Sequence, residues 1–336
     1  MKFFQYILPL FFLISCGDSK PSATKTQDLD SLLVIYPDSV PLLIKRGTKM
    51  FKFSKFEAAM ADGAKAFRLD STNIDARMLY ADVLNNRPGR SVADVAHAQD
   101  LYKVIVKKQP KNTKALVGLA TTYSQQSDFD KSFQYINVAL KIDPKYRDGY
   151  VLKGTNYLLL NKMDLAKSSY ETAVQQDPKF FEAYLMLGSI YQSEKNEICL
   201  QYYTTAKELK PKNLEVLYAL AYGNQIFNKV EEAKTIYREM LQQDSTYSQA
   251  YFQLGYIKQW LEPAKDDAAK EVHIDSAIYF YSGAVDLSPK YSEAWHNLGV
   301  CYLNRGEKSK ATESLRRALK YNPEFELSKE LLKSIK

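Results

Sequence analysis

A short phrase that returns at a fixed interval constrains this chain more than any other feature. It reads DPKY at residues 143–146, DPKF at 177–180 and SPKY at 288–291. Prolines spaced by about 34 residues accompany it, namely Pro110, Pro144, Pro178 and Pro211 in one run and Pro289 and Pro323 in another. A period of this length is typical of an array in which one supersecondary unit is stacked repeatedly.

The interval continues where the proline is missing. Ser245 follows Pro211 at the same spacing, and Ser71 follows Pro37 at that spacing too. Two gaps are longer, the one from Ser71 to Pro110 and the one from Ser245 to Pro289. The chain is therefore expected to hold eight units over residues 40–325, two of them with insertions, near 86–96 and 261–272.

The residues between the prolines have the character of helices. Apolar residues tend to recur three or four positions apart, as on one face of an amphipathic helix. Only 13 of the 336 residues are glycine, and the hydrophobic content of 46% is that of a chain that folds. We therefore predict an all-α fold.

Within the units, the residue pattern resembles the tetratricopeptide repeat, written W-x2-L-G-x2-Y, then A-x3-F, then P. Trp295, Leu298, Gly299 and Tyr302 reproduce its first half. The resemblance implies a right-handed superhelix of helix pairs. The first helices of the pairs are expected to begin at Val40, Ile74, Thr113, Arg147, Phe181, Leu214, Ser248 and Ser292.

The ends of such an array expose apolar surface unless further helices cover them. Residues 28–39 are interpreted as a leading half-repeat helix. Residues 326–336 are interpreted as a capping helix, with Leu331, Leu332 and Ile335 on its inner face.

Small residues should mark where the two helices of a unit approach to about 8 to 10 Å. First-helix glycines are expected to meet second-helix alanines; the glycines are Gly154, Gly188, Gly255 and Gly299, and the alanines include Ala166, Ala233 and Ala311. The proline after each second helix ends it. The Asp or Ser before that proline is interpreted as a turn residue rather than a catalytic acid.

The segment that precedes the array, residues 1–27, differs from the rest. Residues 1–15, MKFFQYILPLFFLIS, place one lysine before an apolar stretch too short to remain across a bilayer, which predicts a signal peptide. Leu13 to Cys16 resemble the lipobox of bacterial lipoproteins, which implies cleavage before Cys16 and acylation of that residue. The alternative is an ordinary secretory signal with a coincidental cysteine. Residues 16–27 would then carry the lipid and form a flexible tether.

The resemblance to lipoproteins also implies an address. Gly17 stands where lipoproteins of the inner membrane usually carry Asp, which favours an outer-membrane lipoprotein that faces the periplasm, with the leaflet left open. Export would permit a disulfide. Cys199 and Cys301 fall about three units apart, however, and both are interpreted as small buried apolar residues.

Neither catalysis nor metal binding finds support in the sequence. His97, His273 and His296 have no spacing typical of a metal site, and no glycine-rich phosphate loop is present. We predict a protein that is not an enzyme and needs no cofactor. The formal net charge of +7 is modest. Residues 103–114 contain five lysines. They are interpreted as a solvated helix face. The alternative is a face that meets anionic lipid or an acidic partner, rather than nucleic acid.

The family resemblance further implies a concave groove, lined by the first helices, that holds a peptide or helix of a partner. The fifth and ninth positions of the last three units bear rings at Tyr218, Tyr222, Phe252, Tyr256 and His296. Amide groups that could bond a partner's backbone stand nearby at Gln225, Gln259 and Asn297. The alternative is that the rings pack between helices. The Lys and Asn of a two-carboxylate clamp are missing, so an acidic chain end is not the expected ligand.

The sequence therefore favours a non-enzymatic scaffold that binds proteins of the bacterial cell envelope. The alternative is an accessory module that presents a peptide or glycan to an envelope-processing enzyme. The two insertions lie between the first and second helices of their units, so they should project from one edge of the array. They are a candidate binding edge or tolerated surface loops.

Overall fold

The computed structural model of the chain describes residues 28–335, and every regular element in that range is helical. The predicted signal peptide, the predicted acylation site Cys16 and the predicted tether fall outside the described residues, as does Lys336. The helices are α1 Leu29–Ile35, α2 Val40–Lys52, α3 Phe56–Leu69, α4 Ile74–Asn86, α5 Val92–Lys108, α6 Thr113–Gln125, α7 Phe129–Ile142, α8 Arg147–Leu159, α9 Met163–Gln176, α10 Phe181–Ser193, α11 Cys199–Leu209, α12 Leu214–Ile226, α13 Val230–Gln243, α14 Ser248–Tyr256, α15 Asp267–Leu287, α16 Ser292–Asn304, α17 Lys308–Tyr321 and α18 Glu326–Ser334. The prediction of an all-α fold is confirmed.

The chain divides into two compact units, one up to Phe180 and one from Phe181. The first unit contains α1 and four helix pairs, α2/α3 to α8/α9. The second contains four pairs, α10/α11 to α16/α17, and then α18. Within each unit the two helices of a pair pack most closely on each other, and each pair packs on the next. The eight first helices begin at the residues that the repeat period gives.

Two corners between repeats combine an acidic turn residue with a proline, at Asp143–Pro144 and at Asp177–Pro178. Second helices end two residues before the proline, as α7 does at Ile142 before Pro144. Asp143 Oδ1 accepts a hydrogen bond from the backbone N–H of Lys145 at 3.0 Å, and Asp177 accepts one from Lys179 at 3.1 Å. These are turns in which the side chain replaces a backbone acceptor. The interpretation of these acids as turn residues is confirmed.

The glycines of the first helices make closer contacts than the sequence indicated. A Cβ atom placed on Gly188 would lie 2.4 Å from the ring of Tyr203, and one on Gly154 would lie 2.9 Å from the ring of Tyr170. The same geometry recurs at Gly255. The expected glycine-to-alanine contact is therefore corrected, because the nearest side-chain neighbour is an aromatic ring of the second helix, or Leu315 in the last repeat.

A left-handed residue closes the turn between the two helices of every repeat that has no insertion. It is the fifteenth residue of the repeat, with φ between 55° and 78°, and its occupants are Ser54, Ser127, Asn161, Lys195, Asn228 and Gly306. Residues other than glycine and asparagine seldom adopt this conformation. The turn therefore imposes a small strain at three of the six positions.

Each insertion lengthens the second helix of its own repeat. The first insertion leaves a short loop after α4, and α5 is 17 residues long. After the second insertion, α15 is 21 residues long. The second helices of the repeats without an insertion have 11 to 14 residues. A π-helical turn, Ile257–Leu261, precedes the second loop. Glu262 begins this loop and is held by Lys258 at 2.5 Å and by the buried Lys234.

The remaining predictions for buried residues have mixed outcomes. Cys199 and Cys301 are free thiols with no exposed surface, as predicted. Burial raises the pKa of the Cys199 thiol to about 11 and that of the Cys301 thiol to about 12. On α18, the fully buried residue is Ser328, whereas the predicted Leu331 and Leu332 are half-buried.

Candidate partner-binding surface

The residues predicted to bind a partner all lie in the second unit, on three of its first helices and the turn that follows one of them. They are Tyr218, Tyr222 and Gln225 on α12, Phe252 and Tyr256 on α14, Gln259 in the π-helical turn, and His296 and Asn297 on α16. The five ring residues among them are half-buried. The fifth and ninth residues of the second, third and fourth repeats are covered instead, from 3% exposed at Val151 to 9% at Thr155.

Gln225 does not reach the surface, since its side chain is buried and bonded at both ends. Its Nε2 donates to Gln253 Oε1 at 3.0 Å, and its Oε1 accepts from the Tyr237 hydroxyl at 3.2 Å. Gln253 Nε2 in turn donates to the Tyr218 hydroxyl at 3.0 Å. The amide of Gln225 therefore joins α12, α13 and α14 rather than facing a partner.

Gln259 and Asn297 share one buried hydroxyl. The Tyr281 hydroxyl donates to Gln259 Oε1 at 2.8 Å and accepts from Asn297 Nδ2 at 3.2 Å. Burial raises the pKa of Tyr281 far above its usual range, so its hydroxyl keeps its proton. Gln259 Nε2 is buried without an acceptor among the described residues, which leaves an unused donor beside the ring residues.

Two ring residues keep their polar ends free. Tyr222 stacks on Tyr218 with centroids 6.0 Å apart and planes 8° from parallel. Burial raises the pKa of the Tyr222 hydroxyl, and the neighbouring Tyr256 raises it further. Neither the Tyr222 nor the Tyr256 hydroxyl has a hydrogen-bond partner within residues 28–335. Two successive first helices thus present two adjacent phenols with open hydroxyls.

Phe252 and His296 pack against their neighbours. The ring of Phe252 lies 4.8 Å from that of Tyr291 and 5.7 Å from that of Tyr281. His296 Nδ1 lies 2.8 Å from Ser328 Oγ, and Phe325 covers its ring at 4.8 Å. Burial lowers the pKa of His296, so its imidazole is neutral near pH 7. Packing against these neighbours therefore covers much of the ring of Phe252 and of His296.

Sequence reasoning missed a set of second-helix hydroxyls, two of which, those of Tyr237 and Tyr281, hold the amides of this surface in place. In five repeats, the second-helix aromatic of the A-x3-F pattern is a tyrosine whose hydroxyl bonds a polar side chain of the first helix or of the turn that follows it. The pairs are Tyr102 with Asp82, Tyr170 with Thr155, Tyr203 with Gln192, Tyr237 with Gln225 and Tyr281 with Gln259. The sequence did contain a signal for these hydrogen bonds, because tyrosine stands where the pattern has phenylalanine.

Residues 28–335 contain neither a candidate membrane span nor a candidate metal-binding cluster. No helix there is long and apolar enough to cross a membrane. No group of three or more His, Cys, Asp or Glu side chains in this range is placed to hold a metal ion.

Comparison with known proteins identifies the repeats. Family models described as tetratricopeptide repeat match residues 113–146, 148–180 and 292–325. Over 126 residues, the chain is 32% identical to the tetratricopeptide repeat-containing protein trd-1 of Caenorhabditis elegans. The aligned stretch is 37% of this chain and only 15% of that protein.

Solved structures of low sequence identity share the fold. A chain of the APC/C hetero-tetramer Cut9–Hcn1 aligns with a TM-score of 0.59 at 18% identity, over 91% of this chain and 58% of that one. The C-terminal part of a TPR repeat-containing protein from Cytophaga hutchinsonii aligns with a TM-score of 0.56 at 16% identity, over 75% of this chain and 98% of that one. A thermophilic TPR protein of Thermus thermophilus aligns with a TM-score of 0.50 at 18% identity, over 56% of this chain and 100% of that one.

Proposed function

We propose that this chain, which is a tetratricopeptide repeat protein, is a non-enzymatic scaffold that binds a peptide or helix of a protein partner in its second unit. One observation carries the proposal. Tyr222 and Tyr256 stand on successive first helices, half-buried, with hydroxyls that no described residue engages. Tyrosines held in this way lose little freedom on binding and are common binding hot spots.

The spacing of the repeats suits an extended partner. Neighbouring first helices lie about 8 to 10 Å apart. An extended strand rises about 3.3 Å per residue, so every third residue would meet a new repeat. A partner with apolar or aromatic side chains at that interval would place one of them against Tyr222 and another against Tyr256.

The buried network behind the tyrosines supports a rigid surface. Gln253 ties α14 to α12 through Tyr218 and Gln225, so the two helices that carry the phenols are linked by hydrogen bonds. A rigid surface costs less ordering entropy when a partner binds. This is the physical reason for placing the binding surface here.

The proposal is tested by Tyr222→Ala combined with Tyr256→Ala. A lost hot spot costs about 2 kcal/mol or more, roughly thirtyfold in affinity. We expect the double variant to keep its helical circular dichroism and to lose capture of partners from detergent-solubilised envelope. The matched control is Tyr279→Ala with Tyr321→Ala, two exposed tyrosines outside the first helices.

The outcomes of the capture experiment discriminate between functions. Stoichiometric protein partners that the Tyr222/Tyr256 variant loses, and that the control retains, support the scaffold. Retained glycan or short peptide without protein supports the alternative, a module that presents substrate to an envelope-processing enzyme. Wild-type capture by a well-folded Tyr222/Tyr256 variant contradicts the proposed surface.

The proposed setting is the bacterial cell envelope. Leu13 to Cys16 resemble a lipobox, and the stretch 16–27 links the lipidated cysteine to the first described residue. We propose that acyl chains on Cys16 hold the protein at the outer membrane, facing the periplasm, where its partners are envelope proteins.

A further inference from the structure

The first helix pair differs from all the others on the face that points away from its core. Lys45, Lys49 and Lys52 lie along α2 opposite its buried residues, at the sixth, tenth and thirteenth positions of the repeat, and all three are exposed. In the other seven repeats the tenth residue is buried; these residues are Val83, Thr122, Asn156, Ile190, Gly223, Ile257 and Cys301. At its tenth position, Lys49, the first repeat therefore exposes a residue where every later repeat buries one.

Helix α1 adds exposed apolar side chains at the same end of the first unit. Val34 is 82% exposed, Ile35 66% and Tyr36 59%, whereas Leu33 points into the core. We call these three residues together with Lys45, Lys49 and Lys52 the terminal face. It combines apolar and basic side chains. Of the exposed acids next to it on the chain, Asp30 and Asp38 are ion-paired with Arg46 and Lys65, and Asp28 caps α1.

The lysines of the terminal face are free to meet an external anion. Their neighbour Arg46 is bonded to Asp62 and Asp30, at 2.7 and 2.8 Å. Lys45, Lys49 and Lys52 have no such partner among residues 28–335. The whole first unit is basic, since residues 28–180 contain 23 Lys and Arg against 17 Asp and Glu. Residues 181–336 contain 20 against 21.

Charge decides which occupant the terminal face can take. A second copy meeting it face to face would bring like charges together. Residues 1–27 contain three lysines and one aspartate, so they do not complement it either. An anionic partner fits the lysines, and a partner that also accepts exposed valine and isoleucine is the interfacial region of a bilayer.

We propose that the terminal face rests on anionic phospholipid and so lays the first repeat on the membrane. The inference takes its setting from the proposed anchor at Cys16. The stretch from Cys16 to the first described residue can span at most about 40 Å, so the anchor keeps the terminal face within reach of the bilayer. The lysines would bind headgroups while Val34 and Ile35 enter the interface.

The test measures vesicle binding without the lipid anchor. Unacylated protein comprising residues 17–336 is sedimented with vesicles of phosphatidylcholine alone or of phosphatidylcholine and phosphatidylglycerol in equal parts. Each lysine near an anionic surface contributes about fivefold in affinity. The triple variant Lys45→Glu, Lys49→Glu, Lys52→Glu should therefore bind the anionic vesicles about a hundredfold more weakly or worse.

The matched control changes three other exposed lysines of the same unit, Lys141→Glu, Lys145→Glu and Lys179→Glu. It removes the same charge from the same unit but leaves the terminal face intact. Loss of binding in the first triple variant alone supports the proposal. Equal loss in both variants would show that net charge, not the terminal face, sets the binding, and would overturn it.

A polarity-sensitive dye on Val34→Cys locates the contact, since Cys199 and Cys301 are buried. Its emission should shift to the blue on anionic vesicles, whereas a dye on Leu159→Cys should not shift. Failure of the wild type to bind, or binding that requires removal of residues 17–27, would overturn the proposal. So would a dimer, seen by light scattering, that Val34→Ser dissociates. The result is independent of whether Cys16 is acylated.

Discussion

At the scale of single residues, the second-helix tyrosine determines which side chains of a first helix remain available to a partner. Where its hydroxyl donates to a first-helix amide, as that of Tyr237 does to Gln225, the amide is bonded within the core and does not face a partner. The sequence predicted the ring positions because aromatic residues recur in register. It could not predict which amides are buried and hydrogen-bonded, because their partners lie on another helix and their pairing depends on tertiary packing.

Removing one such hydroxyl should destabilise the second unit. Tyr237→Phe leaves Gln225 Oε1 buried without its donor, and an unsatisfied buried acceptor costs about 1 to 3 kcal/mol. The measurement is the free energy of unfolding in urea. Tyr123→Phe is the control, because Tyr123 is half-buried and its hydroxyl has no partner in the described part of the chain. Equal stability of the two variants would contradict the role given to the Tyr237 hydroxyl.

At the scale of helices and turns, the period of the prolines was the informative signal. Each proline removes a backbone donor and restricts the residue before it, so it marks a helix end with a physical cause. The left-handed turn residue was missed for an equally physical reason. Asn161, Asn228 and Gly306 have sequence signatures for that conformation, but Ser54, Ser127 and Lys195 have none, and only the fixed geometry of the turn places them there.

The strain in this turn predicts opposite effects for two exchanges. Lys195 adopts φ 55°, a conformation that costs a lysine about 1 kcal/mol relative to glycine. Lys195→Gly should therefore raise the free energy of unfolding by about 0.5 to 1 kcal/mol. Gly306→Lys should lower it by a similar amount, since Gly306 adopts φ 78° at the equivalent position. Destabilisation by Lys195→Gly in urea unfolding would refute the assignment of strain.

At the scale of the whole molecule, the two units differ in character although they share one repeat. The first is basic, and its fifth and ninth residues in the second to fourth repeats are nearly buried; the second is close to neutral and presents half-buried rings. Repeat arrays allow this division because each repeat contacts only its neighbours. This independence is compatible with our proposals that the first unit meets a lipid surface and that the second binds a partner.

The proposed division requires that the chain be held at a membrane, and Cys16→Ser tests this requirement. Each buried methylene of an acyl chain contributes about 0.8 kcal/mol, so several chains anchor far more firmly than lysines alone. We expect Cys16→Ser to release the protein into the soluble fraction or to leave the signal peptide uncleaved. Gly17→Asp is the companion variant, expected to keep the lipid but move the protein from the outer-membrane to the inner-membrane fraction. Unchanged processing and fractionation of Cys16→Ser would mean that residues 1–15 are an ordinary secretory signal and that the anchor is absent.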